Sequence, residues 1–242
     1  ARSGIFSYIA IEGGIAGDPV FGSLSVTARS GLGSPFPRPL QAGDLMKVGS
    51  ARVAEHERGL DLPFVSAGPI RVIMGPQDDE FGSACELFLA SDWVVSVTSD
   101  RMGYRLEGPR LTHDRGHNIV SDGTVDGSIQ VPGSGQPIVL MKDRGTTGGY
   151  PKIATVITAD LGRMAQTQPG QTIRFRSVSM ASAQAEARAL YWLLQSLPGR
   201  IIKARGSGLD INALRDANVA GAVVNATDST TWQSQATEGD TP

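Results

Sequence analysis

The side chains best suited to chemistry crowd into residues 99–154, where charged residues stand beside frequent glycines. The run DRGTTGGYPK, residues 143–152, places Thr146, Thr147, Gly148 and Gly149 together, with Tyr150 and Lys152 close behind. Such a run can offer hydroxyls and backbone N–H groups to an anion, and Lys152 adds a point charge. It is not a P-loop, because the G-x-x-x-x-G-K-[ST] spacing is absent. A Thr/Gly turn joining two strands is the plain alternative. Arg101 and Arg105 share one face if their segment is extended, and two guanidiniums can clamp a carboxylate or phosphate. They can equally form surface ion pairs with Asp100 and Glu107. Asp122 and Asp143 are the best carboxylates for general-base work, although Asp122-Gly123 is also a common turn pair. His113 can carry protons near neutral pH. His113 and His117 are four apart, a metal-ligand spacing on a helix, but Gly116 and polar neighbours indicate a loop, and no metal is expected. Gln130 lies in a strand pattern; buried, it needs partners, as a core polar group or a ligand contact. No Ser-His-Asp order, G-x-S-x-G elbow or dinucleotide fingerprint is present.

The elements that must position these residues read mostly as strands. Short apolar runs at 71–74, 93–98, 128–131, 137–141 and 153–157 lie between turn residues. Residues 4–11 read as a strand needing neighbours on both edges, and 172–178 alternate as one strand. Residues 30–40 carry three prolines at alternate positions and must be an extended loop. Residues 41–49 read as a turn and a short strand. Asp78 or Asp79 is suited to cap a helix whose apolar face is Phe81, Ala84, Cys85 and Phe88. Cys85 has no visible activating neighbour and reads as a small core residue. A short helix is expected at 159–166. Ser179 should cap a longer one, with Ala183, Ala187, Leu190, Tyr191, Leu194 and Leu197 as its core face and Pro198-Gly199 as its stop. Leu214 and residues 220–224 could add one helix and one strand.

A chain of 242 residues with 30 glycines and 14 prolines fits a mainly β protein with two or three helices. It is long enough to bury a core without staples. A net charge of −2 argues against a general nucleic-acid binder. The single cysteine permits no internal disulfide. No stretch is long enough for a membrane helix, and a cytoplasmic location is expected.

The segments SDRMGYRLEGP, SDGTVDGSIQVPGSGQPIVL and TTGGYPKIATVITADL carry a resemblance. They are similar to the biotin-dependent carboxyltransferase-like family, which includes the C subunit of 5-oxoprolinase (KipA), allophanate hydrolase subunit 2 and part of urea carboxylase. YIAIEGGI, FGSLSVTARSGLG and ANVAGAVV extend it at lower density. The resemblance implies a cyclophilin-like β-barrel in two halves, the first incomplete here. Residues 1–64 would then be the remainder of the N-terminal half plus a linker within 51–61. Residues 65–226 would be the C-terminal barrel with helices, and 227–242 a mobile tail. Gly145 stands where the family carries a larger residue, often Gln. The function implied is that of a subunit in an ATP-dependent complex opening 5-oxoproline to glutamate. In that scheme the lactam oxygen attacks the γ-phosphate, and Arg101, Arg105 and Lys152 would neutralise the developing charge. ATP would be used by the complex as a whole. The first alternative is a carboxyltransferase subunit of the allophanate hydrolase or urea carboxylase type. Its biotin must come from another chain, since no Met-Lys-Met carrier motif is present. The second alternative is a non-catalytic, KipA-like antagonist of a kinase inhibitor. The implied partner resembles KipI, the B subunit of 5-oxoprolinase or allophanate hydrolase subunit 1, with a small-molecule amide as substrate.

Overall fold

The computed structural model describes residues 4–50, 58–60 and 68–203. In chain order the elements are β1 (Arg58–Leu60), β2 (Ile70–Met74), α1 (Ala84–Ala90), β3 (Trp93–Val95), β4 (Gly103–Glu107), β5 (Asp122–Gly123), β6 (Ser128–Gln130), β7 (Ile138–Leu140), β8 (Thr147–Gly148), β9 (Lys152–Val156), α2 (Leu161–Ala165), β10 (Thr172–Ile173), β11 (Phe175–Ser177), α3 (Met180–Ser196) and β12 (Ile201–Lys203). The described residues fall into two units, one of 4–50 with 68–200 and one of 58–60 with 201–203. The smaller unit is an antiparallel ladder of β1 and β12, with Arg58 opposite Lys203. The expected linker therefore contributes a strand at 58–60, and the rest of 51–61 lies outside the described residues, as do Leu214, 220–224 and 227–242.

In the larger unit eight strands form one sheet in the order β10-β3-β4-β7-β6-β9-β2-β11. Its two outermost strands are consecutive pieces of one segment, broken at Arg174. β10 pairs antiparallel with β3, and β11 pairs parallel with β2. The sheet thus wraps into a nearly closed barrel, which removes most of the exposed edge that an open sheet presents. The expectation of a single strand over 172–178 is corrected for this reason: one segment completes two edges and must break between them. The mainly β, barrel-like expectation holds, with three α-helices among the described residues.

The core follows from the strand pattern. Val72, Trp93, Leu106, Ile129, Val139 and Ile153 are buried, joined by Phe81 and Phe88 from around α1. The Trp93 indole N–H donates to the Phe88 carbonyl at 3.0 Å, so its one polar atom is satisfied inside the core. Neither Asp78 nor Asp79 caps α1. Ser83 occupies that position without a side-chain cap bond, because residues 78–80 form their own 3-10 turn first. Ser179 does cap α3, accepting from the Ser182 N–H at 3.2 Å.

Two expectations fail on burial. Residues 4–11 form no strand. Tyr8 and Ile9 are exposed, and the N–H groups of Ile5 and Phe6 donate instead to Gln166 Oε1 at 2.9 and 3.0 Å. No neighbouring strand reaches them among the described residues. The expected core face of α3 is buried only at Ala183, while Tyr191 and Leu194 are exposed. The helix meets the barrel through the 3-10 turn Thr158–Asp160, and its C-terminal half runs clear of the described core. Residues 41–49 give a turn and only an isolated bridge, Val48 to Ile15. No helix among the described residues is long and apolar enough to cross a membrane.

Candidate functional site

β9 opens on a lysine, and this residue organises the site. Lys152 is among the largest fully buried side chains, with 2% of its side chain accessible. An ammonium that far from water needs partners. Its Nζ lies 2.7 Å from Asp122 Oδ2 and donates to the Gly123 carbonyl at 3.2 Å. Both partners belong to β5, which pairs with β8 so that Asp122 faces Gly148 and Gly123 faces Thr147. Asp122 is therefore a strand residue, not a turn residue. Its carboxylate is half exposed, 52% on the side chain, and also accepts from the Gly123 N–H at 2.7 Å and from Gln77 Nε2 at 3.4 Å. The hydrogen bond from Lys152, together with that from Gly123 and the positive charge alongside, holds the Asp122 carboxyl below the usual carboxylate range. The group is an anchored anion facing solvent, suited to accept a hydrogen bond rather than to take a proton at neutral pH.

Gln77 had no signal in the sequence beyond following Gly75-Pro76. It brackets Lys152: its Oε1 accepts from the Lys152 N–H at 3.0 Å, and its own backbone N–H donates to the Lys152 carbonyl at 3.1 Å. Gln130, buried at the end of β6, donates through Nε2 to the Tyr150 carbonyl at 3.4 Å. A Cβ on Gly148 would stand 2.3 Å from that same nitrogen, so any larger residue where β8 crosses Gln130 must displace the Gln130 amide. The Ile119 N–H donates to the Gly149 carbonyl at 2.9 Å, and the Thr124 N–H to the Thr146 carbonyl at 3.0 Å. Asp122, Gln130, Lys152 and residues 146–150 thus meet in one place.

The other candidates lie elsewhere. Arg101 precedes β4 and pairs with Asp143, Nε to Oδ2 at 3.0 Å. Asp100 pairs instead with Arg29 at 2.7 Å, and Arg105 is exposed on β4 without an ion-pair partner among the described residues. The two arginines do not form the clamp that a shared strand face would allow, because Arg101 lies outside the strand. His113 Nε2 lies 2.8 Å from the Val131 carbonyl, and its ring packs on Phe81 at 5.0 Å between centroids. The His113 and His117 rings are 6.3 Å apart, and among the described residues no three His, Cys, Asp or Glu side chains gather as a metal would need. Cys85 donates to the Asp78 carbonyl, and burial and then nearby Asp78 push its thiol pKa up, away from thiolate chemistry. In the Thr/Gly run, β8 is laddered to β5, and Lys152 behind it is already paired with Asp122.

Residues 1–177 match the carboxyltransferase domain, subdomain A and B, and the chain belongs to that family. It is 40% identical over 183 residues to the 5-oxoprolinase C subunit of Escherichia coli, covering 75% of this chain and 59% of that protein. To the corresponding 5-oxoprolinase C subunit of Haemophilus influenzae it is 38% identical over 184 residues, covering 76% and 59%. The chain therefore spans about three fifths of the length of these relatives. The Saccharomyces cerevisiae urea amidolyase is 27% identical over 226 residues, covering 81% of this chain and 12% of that protein. Among solved structures, the Kluyveromyces lactis urea carboxylase matches with a TM-score of 0.69 at 26% identity, over 84% of this chain and 20% of that one.

Proposed function

We propose that this chain serves as the carboxyltransferase-type subunit of an ATP-dependent complex that opens a cyclic amide, 5-oxoproline, to glutamate. The observation that carries this reading is the 40% identity over 183 residues to a protein named for that activity, against 27% to urea amidolyase. The site supports it chemically. A half-exposed carboxylate, fixed by a buried ammonium, offers an acceptor for a lactam N–H at small reorganisation cost. Asp122 is the residue that touches the amide, and Lys152 and Gln77 position it. Asp143 and His113 remain proposed proton carriers, but neither contacts Asp122. Of the three cations suited to neutralising phosphate charge, Arg101 and Lys152 are already paired and Arg105 alone is not, so we route no nucleotide step through this chain. ATP is bound elsewhere in the complex.

A second reading is carboxyl transfer to urea, favoured by the TM-score of 0.69 with urea carboxylase. Carboxybiotin from another chain supplies the carboxyl group there, and its ureido ring presents the kind of N–H that Asp122 can accept. The test is co-expression with a protein resembling KipI or the B subunit of 5-oxoprolinase, followed by ATP turnover with 5-oxoproline and with urea. We expect 5-oxoproline alone to stimulate turnover. Stimulation by urea alone transfers the assignment to the second reading, and a complex that answers to neither makes this chain a binding module.

A further inference from the structure

Gln130 stands beside Lys152 at the end of β6, and its carboxamide is largely idle. The residue is 7% exposed, yet Nε2 makes a single bond, to the Tyr150 carbonyl, at 3.4 Å. That is longer than the roughly 2.7–3.2 Å of an ordinary N–H···O bond. The Tyr150 carbonyl can only accept, which sets the end of the amide that is nitrogen. An amide nitrogen carries two donors, and its oxygen two acceptor sites. One Nε2 donor and the whole of Oε1 are therefore without a partner among the described residues. The oxygen is not sealed in either. Among those residues Arg144 Nε is the side-chain nitrogen or oxygen that is both sealed off and partnerless, so Gln130 Oε1 remains open to solvent. A buried carboxamide normally finds its partners within the fold. One that does not, at a place solvent reaches, is suited to meet a group that arrives from solution.

Strand pairing brings this amide next to Asp122. Gln130 lies opposite Lys152 between β6 and β9, and Lys152 Nζ reaches Asp122 Oδ2 at 2.7 Å. Asp122 in turn lies opposite Gly148 between β5 and β8. Directly opposed residues point to the same face, with Cβ atoms about 4.5–5.5 Å apart. The Cβ direction of Gly148 leads to Gln130, ending 2.3 Å from Nε2. The Gln130 amide and the Asp122 carboxylate therefore share one face of the β5–β8 ladder, with Nε2 within about 8 Å of Asp122 Cβ. An amide that bridges the two groups, N–H at one end and carbonyl at the other, fits that interval with hydrogen bonds of about 3 Å. Asp122 as a carboxylate only accepts, so it reads the N–H and leaves the carbonyl unread. We propose that Gln130 is the specificity residue for the substrate carbonyl, its Nε2 donating to the oxygen of the same amide whose N–H Asp122 accepts. The inference rests on the reading that Asp122 meets an amide, and it adds what recognises the other half of that group. Asp122 alone would accept from any N–H or O–H. Gln130 narrows the choice to compounds that carry a carbonyl next to the N–H, a lactam or a urea.

The experiment is calorimetric titration of the full chain, with the partner subunit present where the two co-purify, using three probes. 5-Oxoproline carries both N–H and carbonyl. Its thiolactam analogue keeps the N–H but replaces the carbonyl oxygen by sulfur, a weak acceptor. Its lactone analogue keeps the carbonyl and loses the N–H. We expect the lactam to bind at least tenfold more tightly than either analogue. Gln130→Met, which keeps the bulk and loses the amide, should bind 5-oxoproline at least tenfold more weakly and treat lactam and thiolactam alike, while still rejecting the lactone. Should Gln130→Met fail to fold, Gln130→Glu, which keeps the length and removes the donors, decides by the same comparison. A thiolactam that binds the wild type as well as the lactam does, or a folded variant that keeps the wild-type preference, overturns the proposal and leaves the Asp122 reading standing. A lactone that binds the wild type as well as the lactam does overturns the Asp122 reading instead. If urea binds and 5-oxoproline does not, thiourea replaces the thiolactam and the same outcomes decide. Binding of neither overturns both.

Discussion

Lys152 and Asp122 are joined at 2.7 Å but live in different media: the lysine side chain is 2% accessible and the aspartate 52%. The pair is therefore asymmetric. Removing Asp122 strands a buried ammonium on one remaining carbonyl, whereas removing Lys152 leaves a carboxylate that water can solvate. Breaking a pair costs most when the uncompensated charge stays buried, and an apolar residue of matching shape can replace a buried charge at little cost. We expect Asp122→Ala to lower the denaturant midpoint more than Lys152→Met does. Urea titration of both variants checks the order, and equal midpoints would show that Lys152 does not depend on Asp122 inside the fold.

The same asymmetry separates stability from activity. Lys152→Met should fold and still bind its partner subunit, yet lose 5-oxoproline-dependent turnover by tenfold or more, about 1.4 kcal/mol in the barrier. Asp122 would then be free to wander and to bind protons in the ordinary carboxylate range. The pH profile should shift accordingly: the acid limb of the Lys152→Met variant moves to higher pH than that of the wild type. Arg105→Ala, remote from the pair, should leave the profile where it is. A Lys152→Met variant with wild-type rate and profile would make the pair purely structural.

Gly148 gives a sharper spatial test. A methyl at this position would sit 2.3 Å from Gln130 Nε2 and 3.4 Å from Thr124 Cγ2. Gln130 must then swing away, at the cost of its bond to the Tyr150 carbonyl, or β8 must lift from β5, which disturbs the strand that holds Asp122. We expect Gly148→Ala to cost about 1–3 kcal/mol by overpacking and to reduce turnover. Gly148→Ala combined with Gln130→Ala should recover part of the stability, as coupled neighbours do. Full additivity in a double-mutant cycle would show that the two residues do not compete for the same space.

Most of the barrel was legible in the sequence because short β-branched runs between glycines have few other uses. β2, β3, β6, β7 and β9 fall where apolar runs meet turn residues. The break at Arg174 was not legible, since alternation continues through it; only the sheet order shows that one segment serves two edges. The exposed end of α3 was not legible either. Periodicity names a face but not what covers it. At the site, Lys152 and Asp122 were both visible as charged residues beside glycines, but they lie 30 positions apart. Their pairing depends on β5 and β8 meeting, two strands too short for any periodic signal. Gln77 was invisible for a related reason: it acts by bracketing the backbone of β9, and such a role leaves no mark on residue type.

The final prediction concerns acid stability. Asp160 is 1% exposed and takes three hydrogen bonds from Arg71: backbone N to Oδ2 at 2.8 Å, Nε to Oδ2 at 3.0 Å and Nη2 to Oδ1 at 2.7 Å. Arg71 also reaches Glu186 on α3 at 3.0 Å, so the cluster ties β2 to both the turn before α2 and the long helix. Burial alone would raise the Asp160 carboxyl, but the bonds and charge from Arg71 outweigh it and the pKa is lowered. A lowered folded pKa means that the unfolded chain binds the proton more readily than the native one. The stabilisation is then complete above the unfolded carboxylate value of about 3.9 and is lost as pH falls through the folded value. Asp44, held by Arg38 and lowered to about 2, acts in the same direction and window. Thermal melts should therefore be steady near neutrality and fall steeply below about pH 4. Asp160→Asn should cost about 2–4 kcal/mol at pH 7, because Arg71 loses its buried counter-charge. The same variant should partly flatten the acid limb, since one of the groups responsible can no longer titrate. Melting of wild type and Asp160→Asn from neutral pH down to about pH 2.5, below the unfolded carboxylate value, reads both effects. Parallel curves across that range would place the acid sensitivity outside the Arg71–Asp160 cluster.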